Sequence, residues 1–271
     1  MTTQGFVSLV GAGPGDADLM TVKAVRLLQE ADVVVYDRLV SADILKLIPA
    51  GISRISVGKE VGKHCVPQQE INEIIVNLAK SGRKVVRLKG GDPYMFGRGG
   101  EEVQALNKHH IRFEVVPGIT AASGCSSYSG IPLTHRGMSR RVQFITGHFN
   151  DNKPLDLNWQ AIADPDSTLV IYMGLSNLPL VVHSLIDAGL SATTPAAAVQ
   201  NGTTQSQQRV ITTLAQLSDS IRQKQMQAPV MIIIGEVVSL ADELDWFQQS
   251  IEEKQLEDSP LENNYEERNL A

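Results

Sequence analysis

The chain has little of several residue types, and each scarcity excludes a class of protein. Among its 271 residues there are only two cysteines, Cys65 and Cys125, and no histidine stands at a metal-ligand spacing from either. This argues against a disulfide-stapled domain and against a structural zinc site. No apolar run approaches the roughly 18 residues of a membrane-spanning helix. The first residues lack the basic segment and cleavage site of a signal peptide. We therefore expect a cytoplasmic protein that holds no metal.

Positive charge is also in short supply. The chain carries 24 Lys and Arg against 30 Asp and Glu, for a net charge of -6. Residues 251–271 contain seven acids and two bases, so this segment alone accounts for -5 of that charge. No basic face points to nucleic acid. The acidity belongs to a tail at 248–271, which we expect to be a solvated, disordered extension or a docking segment.

The sequence does contain a regular alternation of short apolar strands and amphipathic helices. Strands are predicted at 6–10, 33–37, 53–57, 84–88 and 112–116, with helices between them. Such alternation is typical of an α/β fold with a mostly parallel sheet, in which ligands bind at the carboxyl ends of the strands. A run rich in Gly, Pro and Arg at 128–141 breaks the rhythm. We therefore predict two α/β domains, 1–134 and 135–247, the second with a more mixed sheet. In the second domain we predict a strand at 168–173, then a helix capped by Ser176, and later a helix near 213–224.

Residues 85–102, VVRLKGGDPYMFGRGGEE, combine a strand, a glycine-rich turn and a helix. Gly90 and Gly91 permit backbone angles that other residues avoid, and Asp92-Pro93 ends the regular structure. This order is typical of a ligand site. The alternative is a tight strand-to-helix connection that binds nothing.

A second glycine turn, GAGPGD at 11–16, invites comparison with dinucleotide-binding loops. The fingerprint G-x-G-x-x-G fails because Asp16 occupies the position of the third glycine, where its carboxylate would repel a pyrophosphate. The turn favours a ligand without phosphate that carries hydroxyl groups, amino groups and a positive charge.

Six motifs in series resemble the tetrapyrrole methylase family over residues 5–247, most closely its members that methylate uroporphyrinogen III. They are GAGPGDADLMT at 11–21, VVVYDRLVS at 33–41, VGK at 57–59, RLKGGDPYMFGRGGEE at 87–102, VPGITAASGCSSYSGIPLTHR at 116–136 and YMG at 172–174. The resemblance implies a two-domain α/β fold with the active site in the cleft between the domains, and a homodimer. It also implies a methylase module without the dehydrogenase and chelatase module that some members carry.

The activity implied by the resemblance is methylation of uroporphyrinogen III at C2 and C7 to give precorrin-2. The methyl donor would be S-adenosylmethionine (SAM), and the product would enter siroheme or cobalamin-type tetrapyrrole biosynthesis. SAM has no phosphate, which agrees with the failed dinucleotide fingerprint. Positions that match the family's cofactor contacts are Pro14, Gly90, Gly91, Asp92, Met95, Thr120, Ala121, Met173 and Gly202.

The resemblance also implies two catalytic residues, Asp37 as proton acceptor and Lys59 as proton donor. Each candidate has a simpler interpretation. Asp37 could pair with Arg38 or cap a helix, and Lys59 could be a solvated surface lysine. Thr120 could cap the helix that follows Gly118. Pro14 and Gly202 could merely shape turns, and Met173 could be a core methionine.

The implied substrate carries eight carboxylates, so its cleft should be cationic although the protein is acidic. Arginine suits such groups because its planar fork binds a carboxylate through two hydrogen bonds. The strongest candidate is Arg87, inside the glycine-rich stretch. The full set of candidates is Arg38, Lys63, His64, Arg87, Arg98, Arg136, Arg140 and Arg141.

Three other functions fit the same motifs. The chain could methylate a later corrin precursor, or an acceptor that is not a tetrapyrrole. It could also be a sensor that binds SAM or a tetrapyrrole without catalysis.

Overall fold

Two five-stranded sheets form the framework of the protein in a computed structural model that describes residues 5–58, 66–148, 155–248 and 250. The predicted site residues Lys59, Lys63 and His64 lie outside the described residues, as does nearly all of the predicted tail. Among the described residues, no helix is long and apolar enough to cross a membrane.

The first sheet is parallel throughout, as the alternation of strands and helices predicts. Its strand order is β3-β2-β4-β1-β5. The pairing registers bring Val10 of β1 beside Leu88 of β4 and Val116 of β5, and Tyr36 of β2 beside Leu88, so these strands end at one edge. The strands are β1 (Phe6–Gly11), β2 (Val33–Tyr36), β3 (Ser53–Ser56), β4 (Lys84–Lys89) and β5 (Arg112–Val116).

Within the described ranges, four helices cover this sheet, two on each face. Alternate residues of each strand point to opposite faces, and both faces are apolar. Val34 and Val86 pack with α1 and α2, whereas Val33 and Val85 pack with α3 and α4. The helices are α1 (Val22–Glu30), α2 (Ala42–Lys46), α3 (Gln68–Lys80) and α4 (Gly99–Lys108).

The second sheet is mixed, which confirms the prediction for the second half of the chain. Its order is β6-β7-β10-β8-β9; β6 and β7 are parallel, and the other neighbours are antiparallel. Helices α7 and α8 pack on one face. The elements are β6 (Arg141–Thr146), α6 (Trp159–Ile162), β7 (Ser167–Tyr172), α7 (Leu178–Asp187), β8 (Pro195–Gln200), β9 (Gln208–Thr213), α8 (Leu217–Gln223) and β10 (Val230–Ile234).

Helix α5 (Ala121–Tyr128) covers the other face of the second sheet, although it directly follows the last strand of the first. Its buried residues Ala122 and Cys125 pack in one apolar cluster with Val170, Tyr172 and Ile233. The chain therefore crosses from one sheet to the other at residues 117–120. The boundary predicted at 134–135 falls between α5 and β6, after the first helix of the second sheet.

Three local predictions need correction. Ser176 does not cap α7, because it lies in a 3-10 turn at Leu175–Asn177 and the N-cap is Asn177. The helix predicted at 213–224 is a 3-10 turn at Leu214–Gln216 followed by the shorter α8. The strand predicted at 168–173 stops at Tyr172, because Met173 adopts a left-handed φ of 53°.

Candidate active site

The two glycine turns predicted to bind a ligand lie against each other at the carboxyl edge of the first sheet. Gly13 and Gly91 exchange backbone hydrogen bonds of 3.1 and 2.7 Å. Gly11 and Gly118 are packed so tightly that a Cβ on Gly11 would stand 2.5 Å from the Gly118 nitrogen. Glycine is thus required where β1, β4 and β5 lead into their loops, because any side chain would push the backbones apart.

Gly91 differs from these packing glycines. Its φ is +67°, whereas a Cβ placed on it would come no closer than 3.6 Å to another atom, the nitrogen of Ala121. Its conformation therefore demands glycine, although a Cβ here would meet its neighbours only at ordinary van der Waals distance. The backbone angle, and not close packing, is what requires glycine at this position.

Asp92 joins this turn to the start of α5. Its Oδ1 accepts a hydrogen bond from the backbone of Tyr94 at 2.8 Å, and its Oδ2 accepts one from the backbone of Gly118 at 3.1 Å. Each carboxylate oxygen has a further lone pair for a ligand's amino or hydroxyl group. Asp92 can therefore serve both the loop and a ligand.

Thr120 is at the N-cap position of α5, as its simpler interpretation requires, but its side chain makes no capping bond. Instead, Oγ1 lies 2.6 Å from the hydroxyl of Tyr172, which also accepts a hydrogen bond from the backbone of Ala122 at 3.1 Å. Burial raises the pKa of Tyr172, so the phenol stays protonated at neutral pH. The ring of Phe96 packs on Tyr172 with 4.7 Å between centroids, and Met95 packs against the same cluster.

Met173 is not a core methionine. It directly follows β7, its φ is left-handed, and half of its surface is exposed. For a residue with a Cβ, the left-handed region costs roughly 1–2 kcal/mol. An exposed thioether held in an unfavourable backbone conformation is typical of a functional contact.

The turn at residues 201–204 of the second domain closes on the first loop of the first domain. A Cβ on Gly15 would stand 3.1 Å from the carbonyl oxygen of Gly202, and a Cβ on Gly202 would stand 2.3 Å from Sγ of Cys125. A Cβ on Gly124 would likewise meet Pro14 at 2.4 Å. Pro14 and Gly202 therefore both pack against α5, and Gly202 also lies next to Gly15.

Asp16 has a structural role in this contact. Its carboxylate accepts hydrogen bonds from the backbone of Asp18 at 2.9 Å and from the hydroxyl of Tyr128 at 2.8 Å. Burial and the neighbouring Asp16 together raise the pKa of Tyr128 to about 12. A carboxylate engaged in this way leaves no anion site at the loop, consistent with the failed dinucleotide fingerprint.

Asp37 follows β2 at the same edge, and its partner is not the neighbouring Arg38. Its Oδ1 accepts a hydrogen bond of 2.7 Å from Nη2 of Arg87, and its Oδ2 lies 3.6 Å from Nζ of Lys89. The Asp37 side chain is 27% exposed, whereas Arg87 is 1% exposed. Asp37 is thus a partly exposed carboxylate at the carboxyl edge of the sheet, with two buried cations beside it.

Arg87, the strongest substrate candidate, has no exposed surface with which to bind a carboxylate. Its guanidinium donates to Glu102, Asp37 and the carbonyl oxygens of Val35 and Leu88. In the sequence, Arg87 stands near the end of a strand and just before a charged turn, and this position suggests an exposed side chain. The structure buries it because α4 covers this face of β4 and supplies Glu102.

The remaining arginines divide between two places. Arg38 is exposed at the carboxyl edge, and Arg98 begins α4, where it donates to both oxygens of Glu101 at 2.8 and 2.7 Å. That hydrogen bond holds the pKa of Glu101 below its usual value. Arg141 pairs with Asp164 at the first residue of β6.

The basic run at 135–141 does not meet the glycine turns. Arg141 is paired in register with Ser167, at the beginning of β7, whereas Met173 follows the end of that strand. Five residues of strand separate the two ends by about 16 Å. Arg136 and Arg140 belong to the same end, because Ser139 between them bonds to Thr168 at 2.9 Å.

Sequence reasoning missed Lys89, Glu102 and Tyr172. A signal for Lys89 was present, because residues two apart on a strand share a face and Arg87 was already a candidate. Glu102 and Tyr172 had no such signal, since their roles depend on how α4 and β7 pack.

Comparison with known proteins places these features in one family. The family model described as tetrapyrrole (corrin/porphyrin) methylases matches residues 7–218. The siroheme synthase of Stutzerimonas stutzeri (strain A1501) is 54% identical over 244 residues, which cover 90% of this chain and 52% of that protein. The chain therefore spans about half the length of this relative.

Solved structures agree with the sequence comparison. A uroporphyrin-III C-methyltransferase from Thermus thermophilus complexed with S-adenyl homocysteine has a TM-score of 0.73 and 38% identity; the match covers 86% of this chain and 92% of that one. A cobalt precorrin-4 methyltransferase has a TM-score of 0.76 and 29% identity, covering 86% and 95%. The matched family model, the shared two-domain fold and the paired glycine turns together establish that this chain belongs to the tetrapyrrole methylase family.

Proposed function

We propose that the chain is a SAM-dependent C-methyltransferase that adds methyl groups at C2 and C7 of uroporphyrinogen III to give precorrin-2. The observation that carries the proposal is the joined pair of glycine turns, in which Gly91 adopts a left-handed φ directly before the carboxylate of Asp92. The similarity to the Thermus thermophilus uroporphyrin-III C-methyltransferase supports the same substrate.

The residues present fit SAM better than a nucleotide phosphate. The edge offers a carboxylate, Asp92, with free lone pairs for amino or hydroxyl groups, and an exposed thioether, Met173. Pro14, Gly90, Gly91, Met95, Thr120, Ala121 and Gly202 line or shape the same region. These residues would hold SAM, which supplies an activated methyl group on its sulfonium.

The chain's own residues have three tasks in the transfer. They hold the acceptor carbon in line with the methyl group, they exclude water, and they receive the proton that the methylated tetrapyrrole, left with a positive charge, releases from another of its atoms. Asp37 is the proton acceptor, because it is the partly exposed carboxylate at the end of β2. Lys59, outside the described residues, is the proposed proton donor.

Substrate carboxylates meet the cations that remain accessible. Arg38 and Arg98 are exposed near the turns, and Lys63 and His64 belong to the set although the structure does not describe them. Arg87 acts indirectly, through Asp37. Arg136, Arg140 and Arg141 have no place in this proposal, because they belong to the far end of β6 and β7.

The end product is siroheme or a cobalamin-type tetrapyrrole. The similarity to siroheme synthase supports siroheme, and the similarity to a cobalt precorrin-4 methyltransferase supports the corrin branch. We further propose a cytoplasmic homodimer of two-domain chains, with domains at 1–134 and 135–247. Light scattering coupled to gel filtration tests the dimer.

A second candidate function is methylation of a later corrin precursor. It is favoured by the TM-score of 0.76 to the cobalt precorrin-4 methyltransferase, although the identity there is lower than to the uroporphyrin-III enzyme. The two are separated by offering the purified protein SAM with uroporphyrinogen III or with a reduced corrin precursor under anaerobic conditions. Methyl transfer to the corrin precursor alone would contradict our proposal.

A further inference from the structure

Four charged side chains form a buried group beneath the candidate site, which we call the charge cluster: Asp37, Arg87, Lys89 and Glu102. Arg87 and Lys89 lie two residues apart on β4 and face α4, which contributes Glu102. Three of the four are almost fully buried, with side-chain exposures of 1% for Arg87, 4% for Lys89 and 0% for Glu102. Asp37 is the member with exposed surface, at 27% of its side chain.

Glu102 is bonded in an unusual, one-sided way. Its Oε1 lies 3.1 Å from Nε and 3.0 Å from Nη2 of Arg87, 3.0 Å from Nζ of Lys89 and 3.2 Å from Nε2 of Gln68. Its Oε2 is buried and has no hydrogen-bond partner among the described residues. A stabilising carboxylate–arginine pair normally uses both oxygens in a fork. Stability alone therefore does not account for this arrangement, since burying an ionised carboxylate is unfavourable unless all its bonds are satisfied.

The geometry does explain how Asp37 is held. Nη2 of Arg87 is shared between Oε1 of Glu102 at 3.0 Å and Oδ1 of Asp37 at 2.7 Å. Lys89 is likewise between them, 3.0 Å from Glu102 and 3.6 Å from Asp37. Glu102 anchors both cations, and both cations face Asp37. Two positive charges also balance two negative ones within the cluster.

We propose that Glu102 is a positioning residue for methyl transfer, acting on Asp37 through Arg87 and Lys89. By anchoring the cations, it fixes the direction in which the Asp37 carboxylate points. By pairing with both, it also keeps the buried cations from carrying an unbalanced positive charge next to Asp37. This inference rests on the proposed function and assigns Glu102 no contact with SAM or substrate.

The test compares Glu102→Gln with Glu114→Gln in the full chain. Both substitutions remove one carboxylate that is hydrogen-bonded in the first domain, and Glu114 bonds to Ser8 and Lys23 instead of the charge cluster. We expect Glu102→Gln to lower kcat about thirtyfold while the Kd for S-adenosylhomocysteine changes by less than about twofold. Glu114→Gln should keep kcat within about twofold.

A double variant keeps the proposal falsifiable if Glu102→Gln does not fold. Glu102→Gln with Lys89→Met removes one anion and one cation together, so no uncompensated charge stays buried. We expect its kcat to lie only about fivefold below that of the wild type, and thus above that of the single variant. If the role of Glu102 is merely structural, the double variant should lose more kcat than Glu102→Gln does. The kcat of each variant should then fall in step with its unfolding midpoint.

The outcomes separate the inference from the function on which it rests. A wild-type protein that transfers no methyl group to uroporphyrinogen III overturns the proposed function and the inference with it. An active wild type with a folded Glu102→Gln variant of unchanged kcat overturns the inference alone. So does a double variant with wild-type kcat, or a loss of kcat in Glu102→Gln that is matched by an equal loss of S-adenosylhomocysteine affinity.

Discussion

The backbone N–H of Asp16 donates a hydrogen bond to Oγ1 of Thr203 at 3.0 Å, across the two domains. Thr203 is buried and has a left-handed φ of 69°, and its own N–H donates to the side chain of Gln207 at 2.8 Å. The first loop of the first domain is therefore tied to the turn that carries Gly202. The link therefore joins two segments that provide proposed cofactor contacts.

Replacing Thr203 tests this link. Thr203→Val keeps the branched shape and the backbone strain but removes the acceptor, so the Asp16 N–H loses its partner. We expect the free energy of unfolding to fall by about 1 kcal/mol, measured by urea denaturation. Thr193→Val is the control, because its hydroxyl bonds only within an exposed turn. Equal stability of the two variants would contradict the role of the link.

Asp92→Ala should weaken cofactor binding. The carboxylate is proposed to accept hydrogen bonds from SAM, and it also holds the backbone of Gly118 and Tyr94. We expect the Kd for S-adenosylhomocysteine, measured by calorimetry, to rise at least about tenfold, since bonds to a charged acceptor are worth about 1.5–3 kcal/mol.

Asp43→Ala is the matched control for Asp92, because Asp43 is an exposed carboxylate paired with Lys46. Its affinity should equal that of the wild type. An Asp92→Ala variant that binds S-adenosylhomocysteine as the wild type does would remove Asp92 from the cofactor site.

Asp37→Ala should lower turnover and leave cofactor affinity unchanged, in contrast to Asp92→Ala. The Asp37 side chain bonds to Arg87 and lies near Lys89, and Asp37 is the proposed proton acceptor, so kcat should fall about a hundredfold or more, the usual range for a general base. The Kd for S-adenosylhomocysteine should stay within about threefold. Asp37→Asn, which keeps the shape facing Arg87, should lose kcat to the same extent. Turnover equal to wild type in either variant would exclude Asp37 from the mechanism.

The ionisation of Tyr128 should make the stability of the protein fall at alkaline pH. Its pKa is raised from 10.0 to about 12 in the folded protein by burial and by its hydrogen bond to Asp16. The folded state therefore holds the phenol proton more tightly than the unfolded state. The contribution of this proton to the free energy of unfolding is complete below about pH 10 and is lost as the pH rises from about 10 to about 12.

The measurement is the unfolding midpoint at a series of pH values for the wild type and for Tyr128→Phe. The variant keeps the ring that packs on Trp246 and Phe247 but has no proton to lose. It should show a smaller decline in stability between pH 10 and pH 12. Parallel curves for the two proteins would show that this hydroxyl does not titrate as described.

Much of the fold could be predicted because local patterns determine it. The valines of β1, β2 and β4 and the apolar stripe of α3 specify a buried parallel sheet, and the glycines at 90 and 91 mark the turn at its edge.

What could not be predicted depends on packing between distant segments. From the sequence Arg87 is expected to be a surface charge, but α4 places Glu102 against it and buries it. Helix α5 reads as part of the first domain until Ala122 and Cys125 pack on the second sheet. Met173 reads as the end of a strand, because nothing in YMG requires a left-handed φ.

The most direct test of the account is a methyl-transfer assay with uroporphyrinogen III generated enzymatically and kept under anaerobic conditions. The purified protein is incubated with SAM carrying a labelled methyl group, and the product is analysed by mass spectrometry. We predict a product with two added methyl groups, whose formation stops when SAM is omitted. Binding of S-adenosylhomocysteine without any transfer would identify a sensor instead of an enzyme. Stabilisation by NADH but not by S-adenosylhomocysteine would contradict the SAM site itself.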